Sequence, residues 1–174
     1  MSADVEYRQL TKLLHPFPQK VIHTNPSGGG SYVAHPVVEQ RLIDALGCSP
    51  DTALVTLLRG DVAAIAPNPN GKSARAKAGA PALSGAVVGC VLRMTATIDG
   101  QTVTVEEVGD CESPHNWPHD GARAKDAFSD AYKRCAMRLG VGLHLWAQED
   151  FYLSAKLLKA DEAAVVDLVV EVGE

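Results

Sequence analysis

The stretch "AVVGCVLRMTATIDGQTVTVEEVG", residues 86–109, constrains the fold more than any other. Val and Thr alternate on both sides of Asp99-Gly100. That dipeptide suits a two-residue type I′ turn, whose central positions both need positive φ. Two antiparallel strands with one buried and one wet face are therefore expected. The buried face needs a cover, and "DGARAKDAFSDAYKRCAMRLGVGLHLW", residues 120–146, can supply it. Ala124, Ala127, Phe128, Ala131, Cys135 and Leu139 recur at steps of three and four, one apolar stripe of a helix. The helix is expected to run from about Asp120 as N-cap to Leu139, with Gly140 as its stop. The small residues of the stripe imply close approach to a sheet.

The flanking segments are shorter. Val5–Leu14 reads as an amphipathic helix with apolar Val5, Leu10, Leu13 and Leu14, ended by Pro16 and Pro18. "QKVIHT" and "SYVAH" suggest short strands around the turn "NPSGGGS". "HPVVEQRLIDALG" has Pro36 in a first helical turn and Gly47 just past the end. Val38, Leu42, Ile43 and Leu46 are expected on its core side. "TALVTLLR" and "GDVAAIA" form one or two strands, and "PNPNGKSARAKAGAPALSG" a long exposed loop. "DCESPHNWPHD" is a turn-rich connector, and a last short helix is expected over 150–159. No internal repeat is visible. The order predicts an α+β fold: an antiparallel β-sheet packed against a long helix, with flanking short helices.

At 174 residues, 46% hydrophobic and 21% charged, the chain reads as one globular domain. No apolar run approaches a membrane span, and the first residues carry no apolar signal core. Four scattered cysteines, Cys48, Cys90, Cys111 and Cys135, suggest reduced thiols. A cytoplasmic protein of bacterial or phage origin is expected.

The net charge of −5 argues at first against a nucleic-acid partner. Its distribution reverses that impression. Residues 148–174 hold seven acids and two bases, which account for the whole excess, so residues 1–147 balance. Within them, Val62–Ile98 contains no acid but carries Lys72, Arg75, Lys77 and Arg93. Surface fields follow such local arrangement and not the chain total.

Two motifs invite catalytic readings. "NGKS", Asn70–Ser73, resembles the end of a phosphate-binding loop, but Ala66 stands where that pattern needs its first glycine. Cys111, His115 and His119 could hold zinc, yet a structural zinc wants four ligands and the usual close pairs are missing. No nucleophile elbow, paired catalytic carboxylates or zinc-protease signature appears. No enzyme activity, cofactor or metal is expected. The long helix carries Arg123, Lys133, Arg134 and Arg138. Asp130 lies three and four residues before Lys133 and Arg134, so local ion pairs would explain them, and Arg134 and Arg138 suit the negative end of the helix dipole. The acid-free segment weakens that explanation, because a second basic element suggests a shared anionic ligand.

These residues resemble the Rad fifty-two type single-strand annealing proteins and their phage relatives. "KDAFSDAYKRCAMRLGVGLHLW" is similar to that family's Ala-rich helix motif with Ser/Thr-Asp, Lys-Arg and Gly. "VVGCVLRMTATIDGQTVTVEEVGDCES" is similar to its central hairpin and Val-Gly turn. "YRQLTKLLHPFPQKVIHTNPSGGGSYV" with "HPVVEQRLIDALG" resembles its N-terminal helix, glycine-rich turn and second helix. The likeness runs in order from about Tyr7 to Leu153. It implies an annealing domain over 1–160, followed by an acidic tail over 161–174. It further implies a ring-forming homo-oligomer that binds single-stranded DNA and anneals complementary strands without ATP. By motif position, Lys133 and Arg134 match the family's backbone-gripping pair. The family's arginine before the glycine-rich turn is replaced by Asn25 or a neighbour. Lys20, His23 or Tyr32 could substitute, with Tyr32 able to stack on a base. The family's long recombinase-binding extension is not expected here, and a single-strand-binding protein is a further candidate partner. Two other classes remain open: a metal- or nucleotide-dependent nucleic-acid enzyme, and a structural oligomer that binds no DNA.

Overall fold

A computed structural model describes residues 8–24 and 30–145 of the chain. The elements are α1 (Arg8–Leu14), a 3-10 turn (Gln19–Val21), β1 (His23–Thr24), β2 (Ser31–Tyr32), α2 (His35–Leu46), β3 (Asp51–Val62), α3 (Ala74–Ala78), β4 (Leu83–Ile98), β5 (Gln101–Asp110), a 3-10 turn (Pro114–Asn116), α4 (Asp120–Arg138) and a 3-10 turn (Leu143–Leu145). The fold is α+β, with a three-stranded sheet in the order β3-β4-β5 against the long helix and a separate β1-β2 pair. The hairpin turn is as the sequence demands, with φ of 48° at Asp99 and 83° at Gly100. Along β4, Cys90, Leu92, Met94, Ala96 and Ile98 are buried, whereas Arg93 and Thr97 are exposed. Two compact units are distinguished. One comprises Thr52–Met94 and Glu106–Cys135; the other takes the residues up to Asp51, Thr95–Val105 and those from Ala136.

In the first unit α4 buries Ala127, Ala131, Tyr132 and Cys135. The helix comes so close to β5 that a Cβ on Gly109 would sit 2.2 Å from both Ala127 O and Ala131 N. Only glycine permits this approach. On the neighbouring strand β4, Leu92 O lies 3.6 Å from Cys135 Sγ of the same helix. The expected helix cap shifts by one residue. His119 Nδ1 accepts the Ala122 N–H at 3.2 Å, so His119 is the N-cap and Asp120 the first helical residue. The Asp120 carboxylate is taken up by Arg59 at 2.7 Å, Arg123 at 3.0 Å and the Val87 N–H at 3.2 Å. A carboxylate at the positive end of the helix dipole is favoured there anyway.

The region expected to hold one or two strands forms the single twelve-residue β3, at a sheet edge. Its exposures are unusual for apolar residues: 50% at Leu54, 45% at Val55 and 36% at Leu58. Because adjacent positions point to opposite faces, neither face of this strand is well covered. The loop after β3 is less irregular than expected. It contains α3, capped by Ser73, whose hydroxyl accepts the Ala76 N–H at 3.0 Å. An antiparallel bridge between Ile65 and Ala80 closes its base.

In the second unit α1 is held at both ends by side chains distant in sequence. The Asp99 carboxylate accepts the Gln9 and Leu10 N–H groups at 2.9 and 3.1 Å, while Gln9 Oε1 accepts the Asp99 N–H at 2.6 Å. These bonds satisfy N–H groups that a helix start leaves without partners. At the other end Arg41 donates to Lys12 O at 3.0 Å, Pro16 O at 3.4 Å and His15 O, and lies over the Phe17 ring. In α2 the Pro36 and Gly47 punctuation holds, with Gly47 left-handed at φ 82°. Its buried residues are Val38, Leu42 and Ala45. Ile43, expected inside, is exposed, and Leu46 is half-buried, because the inward stripe steps from 42 to 45. "QKVIHT" gives a 3-10 turn before the two-residue β1, not a full strand. After α4, Gly140 at φ 108° and the Val141 N–H bond to Ala136 O form a Schellman stop. Val5, Asn25, most of "NPSGGGS", Trp146, the helix expected over 150–159 and the acidic tail over 161–174 lie outside the described residues. Among the described residues no helix is long and apolar enough to cross a membrane.

Candidate nucleic-acid interface

The first unit carries two basic elements of opposite character. Lys72, Arg75 and Lys77, on and just before α3, are all exposed. Among the described residues none of the three makes an ion pair. Arg75 Nη1 reaches only Asn116 Oδ1, at 3.4 Å, a long and uncharged contact. The arm exists because its sequence has no acid to fold back on and because Ser73 and Gly79 delimit a single turn of helix. Three cations on one short exposed element create a local positive field that an external anion can neutralise.

Of the five cations of α4, Arg123, Lys125, Lys133, Arg134 and Arg138, two are held by carboxylates of the same unit, Arg123 and Arg134. Arg123 is 7% exposed, and its guanidinium donates to Asp120 at 3.0 Å and to Pro114 O and Trp117 O at 2.9 Å each. Burying a charge demands such partners. In the structure Arg123, expected on an anion-binding surface, ties the connector to the helix through these bonds. Arg134 Nε donates to Asp130 at 2.7 Å. That bond, with Asp110 and Glu107 nearby, holds its pKa above the ordinary arginine value. Lys133 differs. It is half-buried and, among the described residues, has no ion-pair partner, since Asp130 is committed to Arg134. Arg93, on the open face of the sheet, pairs with Glu106 at 2.6 Å.

The remaining predicted residues lie in the second unit. Lys20 is exposed in the 3-10 turn before β1. Tyr32, 46% exposed, pairs across the β1-β2 ladder with His23, their ring centroids 5.4 Å apart. Arg138 is exposed in the last turn of α4.

Neither catalytic motif assembles. His115 Nε2 contacts Ala63 O at 2.9 Å and His119 Nδ1 caps α4, while Cys111 is buried, its thiol pushed up to about 11 chiefly by burial. Among the described residues no three His, Cys, Asp or Glu side chains converge as a metal site. In "NGKS", Ser73 is occupied as the cap of a five-residue helix, and a Cβ on Gly71 would sit 2.5 Å from that of Ala76. The turn is packed on its own helix, and the Gly71 N–H is committed to Asn68 O at 2.8 Å.

Sequence reasoning missed three features. Arg59 joins β3 to α4 through Asp120, a partner 61 residues away. Trp117, 37% exposed, stands in the connector. The exposure of Leu54, Val55 and Leu58 at a sheet edge is the third, since a strand assignment does not say which strand lies at the edge. Neither a scan against models of protein families nor a search of curated proteins finds a match to this chain.

Proposed function

We propose that this chain binds single-stranded DNA through its phosphates and anneals complementary strands without ATP, in recombination or repair, as a ring-like homo-oligomer in the cytoplasm of a bacterial or phage-infected cell. The observation that carries this reading is the α3 arm: Lys72, Arg75 and Lys77 exposed and without ion pairs in a chain whose net charge is −5. Lys133 adds a cation on α4. Phosphates carry no sequence information, so binding of this kind is indifferent to sequence. The β-hairpin, long helix and Lys-Arg motif resembling the annealing family support the same conclusion.

Self-association is supported by β3. An edge strand offers unpaired N–H and C=O groups, and proteins ordinarily guard such edges with charge, proline or bulges. Between Thr52 and Gly60 the only charged residue is Arg59, which is turned to Asp120. Leu54, Val55 and Leu58 remain exposed. A second copy adding to this edge through a different edge of its own would make a head-to-tail contact of the kind that closes rings.

The experiment mixes the protein with two complementary oligonucleotides in EDTA, without nucleotide, and follows duplex formation. Acceleration is expected. An absolute requirement for ATP or a divalent metal would contradict the reading. Light scattering on Val55→Lys should show smaller particles than the unaltered chain, because an exposed charge placed on the edge costs the monomer little. Equal particle sizes would remove β3 from the interface.

A further inference from the structure

Trp117 has no place in the phosphate contacts described above, yet its surroundings are built. The indole N–H donates to Asp126 Oδ2 at 3.1 Å, and the backbone O of Trp117 accepts from the buried Arg123 guanidinium at 2.9 Å. The preceding 3-10 turn is anchored by His115 to Ala63 O at 2.9 Å. Backbone and ring are thus fixed from three directions, although 37% of the residue faces solvent. A large aromatic so exposed loses apolar burial that an inward rotamer would gain. Next to it, Asn116 is the residue that Arg75 of the basic arm reaches. An immobilised, half-open aromatic on a turn reached by a cation without an ion pair has the composition of a single-strand platform, in which a base stacks on the ring while a phosphate meets the cation.

We infer that Trp117 is a base-stacking subsite for single-stranded nucleic acid, with Asp126 as the positioning residue that fixes the ring and Arg75 as the neighbouring phosphate contact. This rests on the proposed DNA reading and adds to it a contact with the bases. Stacking accepts every base because each has a π-face, so the subsite adds affinity without sequence preference. It also predicts that part of the affinity survives at salt concentrations that screen the phosphates.

The test uses the full chain carrying Trp146→Phe, so that Trp117 is the sole indole. Titration with an oligothymidine should quench its fluorescence with the same midpoint as an anisotropy titration. Trp117→Ala should bind oligothymidine about tenfold more weakly, as loss of one base–aromatic stack does, and Trp117→Phe should recover most of the loss. An abasic strand of equal length should bind the Ala variant and the parent alike, because it has nothing to stack. Circular dichroism melting of each variant separates lost contact from lost fold, and the Phe variant carries the comparison if the Ala variant unfolds. Parent protein that binds oligothymidine without quenching, with unchanged affinity in Trp117→Ala or, failing that, in Trp117→Phe with no preference over the abasic strand, overturns the stacking site and leaves phosphate binding standing. Failure of the parent to bind any single strand at low salt overturns both.

Discussion

The seam between α4 and β5 and the arm around α3 lie in the same unit, and they solve opposite problems. At the seam Gly109, Ala127 and Ala131 bring backbone against backbone with no charge between them. On the arm Lys72, Arg75 and Lys77 stand exposed without ion pairs. The arginines that lie between these extremes, Arg59, Arg123 and Arg134, each hold a carboxylate within 3.0 Å. The lesson is that a basic residue here is legible as structural or as ligand-binding only through its partner. Substitutions at the seam should cost folding, and substitutions on the arm should cost binding.

The largest effect is expected at the seam. Gly109→Ala forces a Cβ into Ala127 O and Ala131 N, and overpacking of this kind costs about 2–3 kcal/mol. Chemical denaturation should show a lower midpoint, with DNA binding lost only as the fold is lost. An unchanged midpoint would mean that the helix and strand stand further apart than described. Arg123→Ala comes next. Its buried bonds to Asp120, Pro114 O and Trp117 O should be worth about 2 kcal/mol, as hydrogen bonds to charged groups are. Its DNA affinity, measured well below the melting temperature, should stay close to that of the unaltered chain. A large affinity loss in a folded protein would restore Arg123 to the binding surface.

A finer cut separates neighbours on α4. Lys133→Ala should weaken strand binding several-fold with little change in melting, because Lys133 has no ion-pair partner among the described residues. Arg134→Ala should do less to binding and remove a pair with Asp130 worth about 0.3–0.5 kcal/mol. Equal effects of the two in an anisotropy titration would erase the distinction between paired and unpaired cations.

The smallest expected effect is a pH dependence in the other unit. His144 Nε2 accepts the Phe17 N–H at 3.2 Å. Burial, with Arg41 and His15 nearby, holds its pKa below the ordinary imidazole value. The folded state therefore takes up this proton later than the unfolded chain does. Stability is complete above about pH 6.5, the usual unfolded value, and falls as pH drops from there toward the folded pKa. Melting temperatures between pH 7 and 5 should decline less steeply in His144→Gln than in the unaltered chain. Parallel profiles would show that other groups govern the acid side.

Much of the fold was legible because it is locally encoded. Asp99-Gly100 set the turn, Gly47 and Gly140 set helix ends, and the spacing of Ala127, Ala131 and Cys135 set the buried face of α4. What sequence could not show depends on partners that only the folded connector and strands bring together, some of them far along the chain. Arg123 looked like one more base on a basic helix until the connector carbonyls were seen to fold over it. Asp120 looked like a cap until Arg59 and Val87 claimed its carboxylate. Apolar Leu54, Val55 and Leu58 cannot announce that they lie on an edge, since β-branched and leucine-rich runs look alike in central and edge strands. The unpaired state of Lys72, Arg75 and Lys77 was foreshadowed by the absence of acids from Val62 to Ile98.

The most direct measurement of the central claim is the salt dependence of oligothymidine binding by the unaltered chain and by the Lys72→Ala, Arg75→Ala, Lys77→Ala triple variant. Each neutralised phosphate on a single strand contributes ~0.7 to the slope of log affinity against log salt. The triple variant should therefore lose about 2 from the slope per subunit while melting as the unaltered chain does. Identical slopes in two equally folded proteins would contradict the claim that the unpaired cations of the α3 arm grip the DNA backbone.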